Sequence, residues 1–148
     1  MSTIKLDIVT AERIVLSEDV EYVSAPGIDG VLGVLPRHAP LITALTVGEL
    51  RYKKGNTEFN FAIGGGFMEV RTDKIIVLAD SAEHADEIDE QRAHQARERA
   101  QSALKEKSVG GMDSARLEQA LRRAELRLRV ARRKRSGREP SAGPELET

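Results

Sequence analysis

The chain has 148 residues and a net charge of −1, with 32% charged residues, 3% aromatic residues, no cysteine and no tryptophan. That length holds one ordinary domain, or a small domain with an appendage, and its core has to be made mainly of Val, Ile, Leu and Ala. Disulfides, thiolate metal ligands and thiol nucleophiles are excluded, no run reaches the roughly 20 apolar residues that span a bilayer, and MSTIKLDIVT lacks the basic start and apolar core of a signal peptide.

From Ile4 to Thr10 apolar residues alternate with Lys5 and Asp7, the period-two pattern of a half-buried strand. Eight further short strands are predicted over 14–16, 20–24, 31–35, 41–45, 49–53, 58–63, 66–71 and 74–79. Turn signals such as Lys54-Gly55-Asn56 and Thr72-Asp73 separate them, and many short strands at this spacing favour a sandwich or flattened barrel. Pro26-Gly27 and Asp29-Gly30 are turn dipeptides. Pro36 and Pro40 bracket Arg37, His38 and Ala39, so this piece is expected to be a constrained, exposed loop, neither helical nor paired as a central strand. Gly64-Gly65-Gly66 lacks the following Lys-Ser/Thr pair and helix that a phosphate loop uses, and is expected to form a bulge where strands turn a corner.

Beyond Ala79 the composition shifts to Ala, Glu, Gln and Arg and the period becomes helical. Asp86 is the expected cap of a first helix, with Glu87, Asp89 and Glu90 in its first turn. Ala93, Ala96, Ala100 and Ala103 line one face. Val109-Gly110-Gly111 breaks the helix, and Asp113 or Ser114 starts a second, on which Leu117, Leu121, Ala124, Leu128 and Ala131 form a matching stripe. Two helices of about 20 residues, each about 30 Å long, would make an antiparallel hairpin. Its seam is half alanine, so its burial is modest and the hairpin is expected to be able to detach. The architecture read from the residues is therefore β + α: a β-sandwich or flattened barrel of short strands over 1–85, a helical hairpin over 86–135, and over 136–148 a Gly-, Pro-, Ser- and Glu-rich tail expected to be disordered.

Charge is unevenly spread. Residues 1–85 hold 8 Lys/Arg against 12 Asp/Glu, residues 86–148 hold 15 against 12, and Arg116–Arg138 holds 10 basic residues against Glu118 and Glu125 alone. Such a segment calls for an acidic partner. Nucleic acid is disfavoured because no aromatic residue follows Phe67 to stack on bases. His38, His84 and His94 have no metal-ligand spacing, and Asp80, Ser81 and His84 lack a nucleophile elbow, so neither a metal site nor a catalytic triad is expected. Asp89 and Arg92 sit three apart on a helix, which in its simplest reading is an intrahelical ion pair.

Pro26–Leu41, PGxxGxLGxLPxHxPL in outline, followed by Gly48-Glu49-Leu50, resembles the amino-terminal domain of epsilon subunits of F-type rotary ATP synthases. Gly64–Val70 is similar to the same family's GGF-x-EV segment, and the likeness extends to about Arg133. It implies a β-sandwich and a non-catalytic rotor subunit that couples rotation of a membrane ring to ATP synthesis and inhibits ATP hydrolysis through its helices. Implied partners are the gamma shaft subunit, the c-ring, reached through Arg37 and His38, and the acidic loops of the alpha and beta subunits, reached through Arg116, Arg122, Arg123, Arg129, Arg132 and Arg133. The implied place is the cytoplasmic face of the cell membrane, peripheral, without insertion. Ile88-Asp89-Glu90-Gln91-Arg92-Ala93 matches the motif with which some bacterial members bind regulatory ATP. By position, Glu83, Ile88, Asp89, Arg92 and Ala93 would contact adenosine, and Arg99, Arg123 and Arg127 would face phosphates. No other cofactor is implied. The rival reading is a free-standing ATP-binding sensor or small nucleotide-processing enzyme, for which no base, nucleophile and metal ligand converge in the sequence.

Overall fold

The strands are β1 (Ile4–Val9), β2 (Ile14–Val20), β3 (Tyr22–Gly27), β4 (Gly30–Val34), β5 (Leu41–Lys54), β6 (Thr57–Val70), β7 (Lys74–Ala79) and β8 (Ala82–His84). A 3₁₀ turn (Ala85–Glu87) leads to helices α1 (Glu90–Glu106) and α2 (Met112–Leu146). This computed structural model describes the backbone of residues 2–106 and 112–146 and the side chains of residues 2–106 and 114–132. The predicted helix break at Gly110-Gly111 lies outside the described residues.

The strands pair in the order β2-β1-β7-β6-β5-β3-β4, with β8 on β6, and every pairing is antiparallel except β1 with β7. Two long strands, β5 and β6, replace the four short ones predicted over 41–71. They remain paired from Leu41↔Val70 to Lys54↔Thr57, and they serve both layers by bending midway. At the bend β6 leaves β7 (last pair Gly66↔Ala79) and takes β8 (Ile63↔Ala82). The expected bulge at Gly64–Gly66 does not form against β5, because Leu45↔Gly66 and Val47↔Gly64 keep one register. The glycines are needed for another reason. Gly65 and Gly66 have φ of +107° and +135°, and a Cβ on Gly66 would collide with the Leu78 carbonyl oxygen.

Pro26, predicted to start a turn, lies inside β3 opposite Val31. With no N–H to donate, it sits where the β3–β5 register is interrupted, and its ring packs where a Cβ on Gly48 would be. The sheet folds over on itself so that Glu18 of β2 approaches Lys54 of β5, with 3.5 Å between carboxylate and ammonium. Between the layers Leu6, Ile8, Leu50, Phe61, Met68 and Ile75 are buried. Their alternation along each strand is the period-two pattern read from the sequence.

The start of α1 differs from expectation. Asp89 is the residue that caps it, its Oδ1 accepting from the Arg92 N–H at 3.1 Å. Asp86 belongs to the preceding 3₁₀ turn, where its own N–H donates to His84 Nδ1 at 3.1 Å. Ile88 is extended between the two and ends the turn, which is why the helix begins a few residues later. Asp113 and Ser114 lie within α2 and do not precede it. The backbone of α2 stays helical to Leu146, past the boundary at 135 drawn from composition. A helix already nucleated adds a backbone bond for each residue fixed, and Pro140 and Pro144 each withhold one. Ala93 and Ala100 of α1 and Ala124, Leu128 and Ala131 of α2 are buried, in line with the predicted seam.

Candidate functional site at the junction of sandwich and hairpin

A second apolar cluster joins the helices to the sandwich. It contains Ala62 of β6, Ala85 and Ile88 of the connecting turn, and Leu126, Val130 and Ala131 of α2, with Val47 of β5 against it. Leu126 and Val130 were not in the stripe read from the sequence. They are four apart on a different face of α2, one that meets the sandwich, and Ala131 at the end of the predicted stripe joins them there.

Beside this cluster is a cleft of about 330 Å³ with an apolar floor that includes Val47, Ala62 and Leu126. Its polar rim is Arg13, Ser81, Glu83, Glu87, Arg123 and Arg127. Glu83 stands on β8 opposite Ala62, and its two carboxylate oxygens accept from Arg127 Nε at 2.7 Å and Nη2 at 2.9 Å. Arg13 lies 3.7 Å from Glu87. Arg123 makes no ion pair among the described residues. The cleft therefore offers one uncommitted guanidinium next to one held in a fork, an arrangement suited to an anion.

Residues assigned from the resemblance are placed unequally. Glu83, Arg123 and Arg127 share this cleft. Arg99 lines a separate groove on α1 with Gln95, Glu98, Ser102, Ala103 and Glu106. Ile88 and Ala93 are buried, Arg92 is exposed, and the carboxylate of Asp89 accepts a backbone N–H in place of the expected ion pair with Arg92. Arg116, Arg122, Arg129 and Arg132 are exposed along α2, and the Arg133 side chain lies outside the described residues. His84, considered as a triad member, serves as a cap and packs edge-on to Phe61 with 4.9 Å between ring centroids. Among the described residues no cluster of three or more His, Asp or Glu could hold a metal ion.

The loop between β4 and β5 forms a tight turn in which the His38 N–H donates to the Leu35 carbonyl at 3.2 Å. Arg37 has φ +66°, the one described non-glycine residue in the left-handed region. His38 Nδ1 donates to the Ala39 carbonyl oxygen at 2.7 Å, which fixes the ring. The two prolines and these two bonds hold both side chains on a stiff mount.

One surface escaped the sequence reading. Ala44, Phe67 and Leu78 are directly opposite one another on β5, β6 and β7, and Ile42 is two residues along on the same face. Ile42, Phe67 and Leu78 are 74%, 59% and 56% exposed, and the Ile28 N–H donates to the Ala44 carbonyl, bringing exposed Ile28 alongside. An apolar row of this kind on an outer sheet face marks an interaction surface. Apolar residues at 42, 67 and 78 were visible in the sequence, but period two does not tell an inner face from a docking face.

Residues 3–85 match the family described as ATP synthase, Delta/Epsilon chain, beta-sandwich domain, and residues 86–132 match its long alpha-helix domain. The chain is 54% identical over 135 residues to the ATP synthase epsilon chain of Dehalococcoides mccartyi, covering 91% of this chain and 96% of that one. It is 54% identical over 133 residues to the epsilon chain of Herpetosiphon aurantiacus, covering 90% and 97%. A subunit of the Euglena gracilis mitochondrial ATP synthase, solved with OSCP, F1 and the c-ring, superposes with a TM-score of 0.75 at 25% identity over 85% of this chain and 79% of that one.

Proposed function

Because this chain belongs to the ATP synthase epsilon-chain family, we propose that it is a non-catalytic rotor subunit of the central stalk of a proton-translocating ATP synthase. It couples ring rotation to ATP synthesis and restrains ATP hydrolysis through its helices. The observation that carries the reading is the exposed apolar row of Ile28, Ile42, Phe67 and Leu78 on the stiff sandwich. Torque transfer needs a rigid body with a firm seat, and close-packed layers supply the rigidity. We assign the row to the gamma shaft subunit, and the clamped loop of Arg37 and His38 to the polar loops of the c-ring. This arrangement would keep the subunit on the cytoplasmic face of the cell membrane through its partners, and no helix among the described residues is long and apolar enough to cross one.

The hairpin supplies the restraint. In the folded state α2 rests on the sandwich, and in the extended state Arg116, Arg122, Arg123, Arg129, Arg132 and Arg133 face acidic loops of the alpha and beta subunits. Each of these contacts is small and salt-screened, so their effect comes from number. Regulatory ATP is assigned to the side of the junction where Glu83, Arg123 and Arg127 line one cleft, with Arg123 the guanidinium open to its phosphates.

The docking assignment is tested with purified gamma subunit. The chain should bind it without turning over ATP alone, and Phe67→Asp should weaken binding at least about tenfold by burying an unpaired charge, while thermal unfolding of the free chain stays unchanged. Absence of binding by the unaltered chain would refute the rotor reading.

A further inference from the structure

We infer that the Glu83–Arg127 fork is a nucleotide-independent latch that holds α2 on the sandwich. It rests on the reading above that the hairpin detaches, and adds what keeps it folded when no nucleotide is bound. The two residues are 44 apart in sequence, and the pair is the one ion pair between α2 and the sandwich among the described residues. Two parallel charge-assisted bonds of 2.7 and 2.9 Å define a single geometry for the helix relative to β8.

Both ends are preorganised. Glu83 is fixed by the pairing of β8 with β6, and Arg127 follows Leu126 and precedes Val130, which seat the same part of α2 in the apolar cluster. The cluster itself is thin, since three of its six buried members are Ala62, Ala85 and Ala131. An ion pair with both side chains 30% exposed is weak by the standards of a core, yet it is comparable with what so small an apolar contact supplies. Glu83 also occupies the place on Arg127 that a phosphate would take. The folded form of this chain therefore carries its own anion, leaving Arg123 as the open position.

The chain has no cysteine, so cysteines introduced at exposed Asp73 and Gln119 can be labelled cleanly and their separation measured in the full-length protein without nucleotide. Glu83→Gln and Arg127→Gln should each raise the detached population about fivefold, and the exchanged pair Glu83→Arg with Arg127→Glu should restore much of the folded population. Raising salt to about 0.5 M should raise the detached population of the unaltered chain by up to the same factor and have little further effect in Glu83→Gln. Val130→Asp serves as the control that breaks the apolar contact. If it detaches the helix while Glu83→Gln leaves the distances and their salt response unchanged, the latch is wrong and the mobile hairpin stands. If neither variant produces a second distance, the mobile hairpin fails and the latch falls with it.

Discussion

The sandwich and the hairpin are attached to the same chain by very different amounts of buried surface. Inside the sandwich seventeen buried residues form one cluster, of which only Ala25 and Ala79 are alanine. Where the hairpin meets the sandwich the cluster has six buried residues and half are alanine. At about 25 cal/mol per Å² the first contact contributes far more than the second, which on the proposed reading leaves α2 a lever that small forces can move. On the proposed reading, stiffness and switching are separated in space, the one under Ile42, Phe67 and Leu78, the other beside Glu83 and Arg127.

Substitutions on either side should sharpen this contrast. Phe61→Ala empties the middle of the sandwich and should cost about 3–5 kcal/mol, lowering the melting temperature of the whole chain in calorimetry. Gly66→Ala should cost about 2–3 kcal/mol, because a side chain at φ +135° meets the Leu78 carbonyl, and it should loosen the corner between layers as seen by amide exchange at Ala79. Val130→Ala should cost about 2 kcal/mol in hairpin docking but leave the main sandwich transition where it was. A fall in that transition as large as for Phe61→Ala would mean that the two regions unfold as one unit.

Smaller effects are expected at the edges. Asp89→Ala removes the cap of α1 and should lose about 1 kcal/mol of helix stability, seen as reduced far-ultraviolet ellipticity with the sheet intact. Asp7 contributes to the pH dependence of the sandwich. The Ser17 hydroxyl donates to it at 2.7 Å, and that bond, opposed by burial and reinforced by Lys74 at 3.1 Å, holds its carboxyl below the ordinary value of 3.8. A lowered folded pKa stabilises above the unfolded value and is lost as pH falls through the folded one. Asp7→Asn should therefore flatten the loss of stability below about pH 4 and change little in how the hairpin docks.

Much of this contrast could be read from the residues, and the parts that could not have physical reasons. Alternation in Ile4–Val9 and Lys74–Ala79 locates strands because one face is buried, and Ala93, Ala100, Ala124 and Leu128 locate the helix–helix seam by their spacing. Four predicted strands merged into β5 and β6 because glycines at 48 and 64–66 look like breaks, although here they let two continuous strands bend together. Asp86 and Asp89 carry the same capping chemistry, and the choice of Asp89 depends on a 3₁₀ turn held by His84. The pairing of Glu83 with Arg127 joins residues 44 apart and has no local signature at all. Of the residues assigned by resemblance, three meet in one cleft. The others follow helix positions that the motif does not distinguish from core.

The proposed separation of a rigid coupling body from a detachable brake is tested most directly by deleting residues 86–148 and measuring ATP hydrolysis by the reconstituted complex over a range of ATP concentrations. The sandwich keeps its own core without the helices, so the shortened subunit should still assemble and sustain coupled synthesis. Hydrolysis should rise relative to the full-length subunit, most at low ATP. A shortened subunit that fails to assemble, or hydrolysis unchanged at every ATP concentration, would contradict the account.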